Sequence, residues 1–430
     1  MKFENVATAD AGSSLSRSTG RDRRRNSGLE VLTINGGSSS IRFAVYGPAP
    51  QSAVALERRL GGKLDRIGLD GTTLSFDDAI LGDRGEHELA VGDHWSAIEA
   101  LLDWLESRGG LVSIEAVGHR VVHGMNHTEP EPITPALLAE LRHIEPIDPD
   151  HLPMEIELIE AVARRHPTLR QVACFDTSFH RTLPRVAQLL PIPRRYDAKG
   201  IRRYGFHGLS YSYLMEELAQ QAGEEAARRR VVLAHLGNGA SLAAVHEGRS
   251  IDTSMGFTPT AGLPMGTRSG DLDPGVAAYL ERSEQLSASE FFAMANHQSG
   301  LLGISETSSD MRDLLERELT DVRAAEAVGL FCYQAKKWIG AYAAALGGID
   351  TLVFAGGIGE NAAVVRARIC EGLGFLGIEL DLSRNAAHGA IISTDASGAT
   401  VRVIRTDEEL MIARSVSRVL HLGDQAKESL

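Results

Sequence analysis

The amino-acid sequence predicts an α/β protein of two related domains that hold a ligand between them. Three observations predict it. The stretch Val31–Tyr46, VLTINGGSSSIRFAVY, reads as strand, polar turn, strand. Val232–Leu242, VLAHLGNGASL, repeats that design at a constant offset, matching Gly36 with Gly237, Ser40 with Ser241 and Ile41 with Leu242, which is the mark of a duplicated unit. At 430 residues the chain also exceeds what one ordinary hydrophobic core organises.

Asn, Gly and Ser at a hairpin tip supply positive-φ positions, free backbone N–H groups and hydroxyls. That is the equipment of a phosphate cradle, and also of an ordinary turn. The duplication favours the cradle, with one hairpin at each end of a polyphosphate. A formal net charge of −13 argues against a nucleic-acid or anionic-membrane surface while leaving room for a local basic pocket. Cys174, Cys332 and Cys370 are an odd number without a CxxC pair, so they predict core thiols and neither a disulfide framework nor a thiolate metal site. The apolar stretch around Trp338–Ile349 is too short and too rich in Gly and Ala to cross a bilayer, and no apolar signal core opens the sequence. A cytoplasmic enzyme or binding protein is expected.

In chain order, residues 1–28 carry Ser, Gly and an arginine run without apolar periodicity and predict a disordered extension. After the first hairpin, Leu56–Leu89 alternates like short antiparallel strands, and Trp95–Leu105 has helical spacing ending near Gly109 and Gly110. Ala116–Gly124, AVGHRVVHG, reads as a buried strand running into a loop. His119, His123 and His127 are spaced as metal ligands would be on a helix, but on a strand that spacing does not converge the rings. Arg120 is a lone guanidinium at the end of that strand. It needs an anion, either an internal carboxylate or a carboxylate or phosphate ligand.

Helical spacing resumes over Met154–Ala163, and Gln171–Phe175 is an apolar strand delivering Asp176, Thr177 and Ser178 at its carboxyl end, where α/β sheets collect ligands. Arg203–Gly208, RYGFHG, is a loop carrying His207, with a helix from Ser212. Residues 252–274 lack any period and carry one cation, Arg268; so long an irregular stretch points to function. Ser299–Asp313 precedes a long helix ending near Gly347. Thr351–Ala355 is an apolar strand entering the glycine loop Gly356–Asn361, and a helix over Ala362–Glu371 would offer its N-terminal N–H groups to an anion there. Gly372, Gly374 and Gly377 spell GxGxxG but follow a helix, so they predict a helix end rather than a dinucleotide site. No GxxxxGK[ST] motif exists in the chain.

The motifs TINGGSSSIRF, GHRVVHG, FDTSFH, YGFHG, HLGNGAS, SMGFTP, GLPMGTRSGDLDP, SGLLGISETSSDMRD, FAGGIGEN and TDEELMIA together resemble, in order, those of the acetate kinase family, over about Leu32–Arg414. The resemblance implies the duplicated RNase H-like fold of actin, Hsp70 and the sugar kinases, with an interdomain active-site cleft. It implies a homodimer, and reversible transfer of the ATP γ-phosphoryl group to acetate or another short-chain carboxylate. It places the first domain at 29–177 completed by 408–430, and a second, nucleotide-binding and dimerising domain at 178–407. By motif match, Arg120 and Arg268 would hold the carboxylate and the transferring phosphoryl group, Asp176 would be the essential carboxylate, and His207 would donate to the transition state. Val122, Phe206 and Pro259 would wall the acyl pocket. Arg42, His235, Leu236, Gly237, Asn238 and Gly239 would line the ATP phosphates, Asp310, Met311 and Arg312 the adenosine, and Gly357, Ile358, Gly359, Glu360 and Asn361 the nucleotide phosphates. Asn35 and Glu408 would support Mg²⁺, with Mn²⁺ as the alternative ion.

The chemistry agrees with that equipment, because phosphoryl transfer is mostly positioning and charge neutralisation. The acceptor carboxylate is ionised at neutral pH, its ordinary pKa being roughly 4 to 5, so no general base is needed. An ATP-driven conformational switch on the same fold would need the nucleotide loops but not guanidinium groups aimed past the γ-phosphate. Three departures from the family pattern stand out: Arg42 replaces a usual Lys, Tyr211 replaces a common second His, and Asp150 falls in the DPDHLP loop where an apolar residue usually walls the acyl pocket. A carboxylate there would repel a carboxylate substrate unless it turns outward or is paired, which leaves propionate or butyrate as alternative substrates.

Overall fold

The computed structural model describes residues 30–37, 40–49, 52–68, 71–108 and 113–422. The 1–28 extension, the serine tip Ser38–Ser39, the glycine pair Gly109–Gly110 and residues 423–430 of the expected first domain lie outside the described residues.

Two sheets are built on one plan. The first contains β1 (Glu30–Gly37), β2 (Ser40–Ala49), β3 (Ser52–Asp65), β4 (Thr72–Asp78), β5 (Asp83–Leu89), β6 (Ile114–Val121), β7 (Glu131–Pro132) and β8 (Arg170–Phe175), in the order β5-β4-β3-β2-β1-β6-β8-β7. The second contains β9 (Val231–Leu236), β10 (Ala240–His246), β11 (Arg249–Thr253), β12 (Thr351–Ala355) and β13 (Thr400–Val403), in the order β11-β10-β9-β12-β13. In each, three antiparallel strands are followed by two parallel ones: β3-β2-β1 then β6 and β8, and β11-β10-β9 then β12 and β13. The duplication read from two hairpins is therefore a duplication of whole sheets.

Alternation along each strand decides what packs on which face. Leu32 and Ile34 face one way, joining Ile98, Leu101, Leu158 and Val162 from helices His94–Ser107 and Leu152–Arg165. Val31 and Ala44 face the other way, against Met411, Ile412 and Val416 of helix Glu408–Val419. Gly118 on β6 admits that helix, since a Cβ there would lie 2.4 Å from Ile412 Cγ2 and 2.6 Å from Val416 Cγ2. The second sheet is sandwiched in the same way. Val232, Ala234 and Leu236 meet Ala327, Phe331 and Ile339 of helix Val322–Leu346, and Val231 and Leu233 meet Tyr211 and Leu214 of helix Gly208–Ala222.

Several expected elements move. The glycine stretch before Ala362 is not a loop: Gly356 (φ +75°) turns the chain out of β12 and Gly356–Asn361 is itself a short helix. Glu360 Oε1 accepts from the Gly356 N–H at 3.0 Å, so a side chain from the same turn closes it. The following helix is Ala363–Cys370, shorter than expected. The helix after His207 begins at Gly208 rather than Ser212, and the helix expected after residue 313 is split into Met311–Arg317 and Val322–Leu346, the latter opened by Asp321 accepting from Arg323 N–H. Gly372 and Gly377 adopt positive φ around a 3₁₀ turn after Cys370, as a helix end requires. Cys174, Cys332 and Cys370 are buried and unpaired; burial pushes the Cys174 and Cys370 thiols up to about 12 and that of Cys332 to about 11. Among the described residues no helix is long and apolar enough to cross a membrane.

Candidate active site

Parallel strands β6 and β8 pair Arg120 with Cys174 and Val121 with Phe175, so Arg120 and Asp176 emerge side by side at the carboxyl edge. Arg120 donates to Asp176 Oδ2 from Nε at 3.0 Å and from Nη2 at 2.6 Å, and to the Gly36 carbonyl from Nη1 at 3.2 Å. The internal carboxylate that a buried guanidinium requires is thus Asp176 itself. Of the five N–H donors of a guanidinium, three are used and two remain for a ligand. Asp176 Oδ1 is buried and has no partner.

The second half meets this pair through His207, held at φ 60° just before helix Gly208–Ala222. A side chain in the left-handed region is strained unless its surroundings fix it. Here Gly208 N–H donates to the Asp176 carbonyl at 2.9 Å, and a Cβ on Gly208 would come within 2.1 Å of that oxygen, so only glycine lets the turn sit so close. The His207 ring stacks on His235 with centroids 4.2 Å apart, and its Nδ1 lies 2.8 Å from Ser241 Oγ, which also contacts Tyr211 OH. Burial, then the neighbouring His235, Arg120 and Arg268, hold the His207 pKa well below its usual value. A neutral imidazole whose Nδ1 accepts from Ser241 keeps its Nε2–H as a donor, the state a transition-state contact needs. Burial likewise lowers His235, whose Nδ1 contacts Ser210 Oγ at 2.8 Å.

Arg268 comes from the irregular segment. Its Nη1 donates to the Pro259 carbonyl at 3.3 Å and its Nη2 to His151 Nε2 at 3.2 Å. Gly239 is the point of convergence: a Cβ there would lie 3.2 Å from His207 Nε2 and 3.8 Å from Arg268 Nη1. The two arginines approach closely enough that Arg120 adds to the downward shift that burial imposes on Arg268. Arg120, His207 and Arg268 are therefore neighbours where the two halves meet.

Asn35, at the end of β1, donates from Nδ2 to Glu408 Oε2 at 3.0 Å and Glu409 Oε1 at 3.3 Å. Arg120, His235 and that amide hold Glu408 below the usual carboxylate range against the opposing effect of its burial, while burial pushes Asp176 and Glu409 up. Hard oxygen donors are what a small divalent cation takes, and Mg²⁺ binds through one or two carboxylates with waters and phosphate completing its shell. Glu408, the Asn35 amide oxygen and the unpartnered Asp176 Oδ1 fit that description.

The remaining expected site residues fall in two places. Leu236–Gly239 form the β9–β10 turn, where Gly237 N–H donates to the Gly239 carbonyl at 3.0 Å and the Gly237 Cβ position lies 3.8 Å from Gly357 N, so the hairpin and the 357–361 helix share one wall. Ile358 packs against the core of the second half, and Asn361 Nδ2 donates to the Gly357 carbonyl at 2.9 Å. Val122 and Phe206 are buried in one cluster. Arg42 is exposed on β2 and lines a cavity of about 740 Å³ with Arg58, Lys63 and Arg405, where its charge helps lower Glu408. Asp310 caps helix Met311–Arg317 and pairs with Arg312, and Met311 is buried; their hydrogen bonds stay within that segment. Of the three spaced histidines, His119 contacts Gln171, His123 the Phe257 carbonyl, and His127 Glu131 and Glu140, so their rings diverge. Asp150 lies 3.5 Å from His297.

Sequence reasoning missed three groups. Asp148 and His151 reach Arg268 from the first half. Glu155 accepts from Val122 N–H at 3.0 Å, and burial pushes its pKa up to about 8; a Glu on the apolar stripe Leu152, Ile156, Ile159 was the available signal. Arg366, fully buried, donates to the carbonyls of Gly359 at 2.8 Å and Glu360 at 2.9 Å, closing the end of the glycine helix.

The family model described as "Acetokinase family" matches residues 30–414. An acetate kinase of Rhodopseudomonas palustris (strain TIE-1) is 43% identical over 404 residues, covering 91% of this chain and 99% of the relative. The crystal structure of Porphyromonas gingivalis acetate kinase superposes with a TM-score of 0.80 at 36% identity, over 91% of this chain and 100% of that one. A propionate kinase from Francisella tularensis subsp. tularensis SCHU S4 superposes with a TM-score of 0.83 at 37% identity, over 90% and 98%. Such agreement along nearly the whole chain reaches every strand of both sheets, and the fold is the two-domain one of actin and the sugar kinases. The chain belongs to the acetokinase family.

Proposed function

We propose that this chain transfers the γ-phosphoryl group of ATP reversibly to acetate, giving acetyl phosphate and ADP by direct in-line displacement. The observation that supports this is the proximity of Arg120, from the first half, to Arg268 and His207, from the second, with His207 Nε2 and Arg268 Nη1 both close to Gly239. A carboxylate oxygen attacks the γ-phosphorus as the bond to the β,γ-bridging oxygen breaks, and no proton moves. The two free donors of Arg120 and the uncommitted donors of Arg268 match two anions brought together against their own repulsion. His207 Nε2–H adds a neutral donor where equatorial charge is held. Glu408, Asn35 and Asp176 would hold Mg²⁺, which when bound neutralises charge on the β- and γ-phosphates. The 235–239 turn and the 357–361 helix are proposed as the phosphate wall, Asp310–Arg312 as the adenosine side, and Arg42 as a further contact to the nucleotide.

Val122, Phe206 and Pro259 would enclose the acyl methyl group. The domains are proposed to divide at 177/178, with 408–430 returning to the first. Two copies would associate through the second half, where Val276, Tyr279, Leu330 and Tyr333 are exposed beside an apolar cavity of about 540 Å³; light scattering should give twice the 46.3 kDa chain mass. The activity is tested by trapping acyl phosphate as hydroxamate from ATP with acetate, propionate or butyrate. Trapped product with acetate is expected, and acetate-independent ATP hydrolysis without it would overturn the reading.

A further inference from the structure

A loop of the first half reaches across the cleft to a cation of the second. Asp148 is buried and accepts from His151 Nδ1 at 2.8 Å; His151 Nε2 lies 3.2 Å from Arg268 Nη2. A guanidinium has no acceptor, so Nε2 must offer a lone pair and the imidazole proton must sit on Nδ1, facing Asp148. The chain of donors runs in one direction only: Arg268 to His151 to Asp148. One residue along, Asp150 contacts His297 at 3.5 Å and ties the same loop to the second half again.

The two arginines are held in opposite ways. Arg120 lies on a carboxylate that already matches its charge. Arg268 has no carboxylate within salt-bridge distance among the described residues; its side-chain nitrogens are met by a carbonyl, the Met265 thioether sulfur at 3.9 Å and an imidazole. Asp148 and Asp150 act on its charge only from beyond contact, so the mount fixes direction without a direct counter-ion. We propose that His151, oriented by Asp148, is a positioning residue that aims Arg268 at the incoming anion, so that the second arginine is assembled only when both halves contribute. Its kinetic consequences rest on the proposed phosphotransfer, its geometry on the contacts of Arg268 and His151.

The test is a double-mutant cycle of His151→Ala with Arg268→Ala, with His151→Gln as the conservative variant, read by hydroxamate formation and accompanied by a crystal structure of His151→Ala. His151→Ala should lower kcat/KM for acetate by about 10- to 100-fold while KM for ATP changes by less than about twofold. His151→Gln, whose amide oxygen accepts from Arg268, should recover most of the loss. In the Arg268→Ala background the His151 change should cost less than about twofold, because the group it aims is gone. Equal costs in both backgrounds, or a glutamine variant as poor as alanine, would overturn the inference. Absence of acyl phosphate from the unmodified enzyme would instead strike the phosphotransfer reading. The positioning claim would then be decided by the crystal structure alone: Arg268 should leave the Pro259 carbonyl when the imidazole is removed, and an unmoved guanidinium would refute it.

Discussion

Nε and Nη2 of Arg120 both close on a single oxygen of Asp176, at 3.0 and 2.6 Å, leaving the other carboxylate oxygen buried and unpartnered. We propose that a carboxylate occupied in this way orients its neighbours through its free corner rather than abstracting a proton. Asp176→Asn keeps the shape and removes the charge. It should lower kcat by at least about 100-fold. Raising or exchanging the divalent metal should restore part of the loss, and changing pH should not; recovery by pH alone would make Asp176 a proton acceptor.

Glu155 gives a stability signature. Burial pushes its carboxyl up to about 8, above the ordinary 4.5, so the folded state binds a proton that the unfolded chain releases earlier. Its contribution is fully present below about 4.5 and is lost as pH rises through about 8, at up to about 1.4 kcal/mol per pH unit. Glu155→Gln should therefore melt higher than the parent at pH 8 to 9, the gap closing toward pH 5. A gap that widens toward acid would mean that the carboxylate is stabilised in place.

Ser241 joins Tyr211 to His207. Ser241→Ala removes the donor to His207 Nδ1 and releases the ring's proton to either nitrogen, so kcat should fall about tenfold with KM for ATP nearly unchanged. An unaltered kcat would show that the tautomer is set elsewhere.

Asp150 stands 3.5 Å from His297, and its charge bears on Arg268. Asp150→Leu should leave the ratio of kcat/KM among acetate, propionate and butyrate within about threefold of the parent, since its charge acts on Arg268, which all three carboxylates would share. A marked gain in acetate preference would mean the carboxylate does reach the substrate.

Sequence periodicity carried the strands well, because β1, β6, β8, β9 and β12 are buried runs whose composition follows from their place between helices. It carried Arg120 and Asp176 as separate facts, and only the parallel pairing of β6 with β8 joins them. It failed at Gly356–Asn361, where glycine was read as loop: Arg366 and Glu360 satisfy the ends of a one-turn helix from positions that no local pattern reveals. It also passed over Asp148 and His151, whose meaning lies in a cation more than a hundred residues further along the chain.

Helix Glu408–Val419 lies on the first sheet and brings Glu408 to Asn35. A ribosome makes the first sheet early and this helix late. Until then Val31, Ala44, Ala116 and Val172 lack the cover of Met411, Ile412 and Val416, so the nascent protein must be shielded or wait. Maturation of the first sheet should accordingly be gated by synthesis of residues 408–419, and ribosome-bound intermediates stalled before residue 408 should be protease-sensitive there.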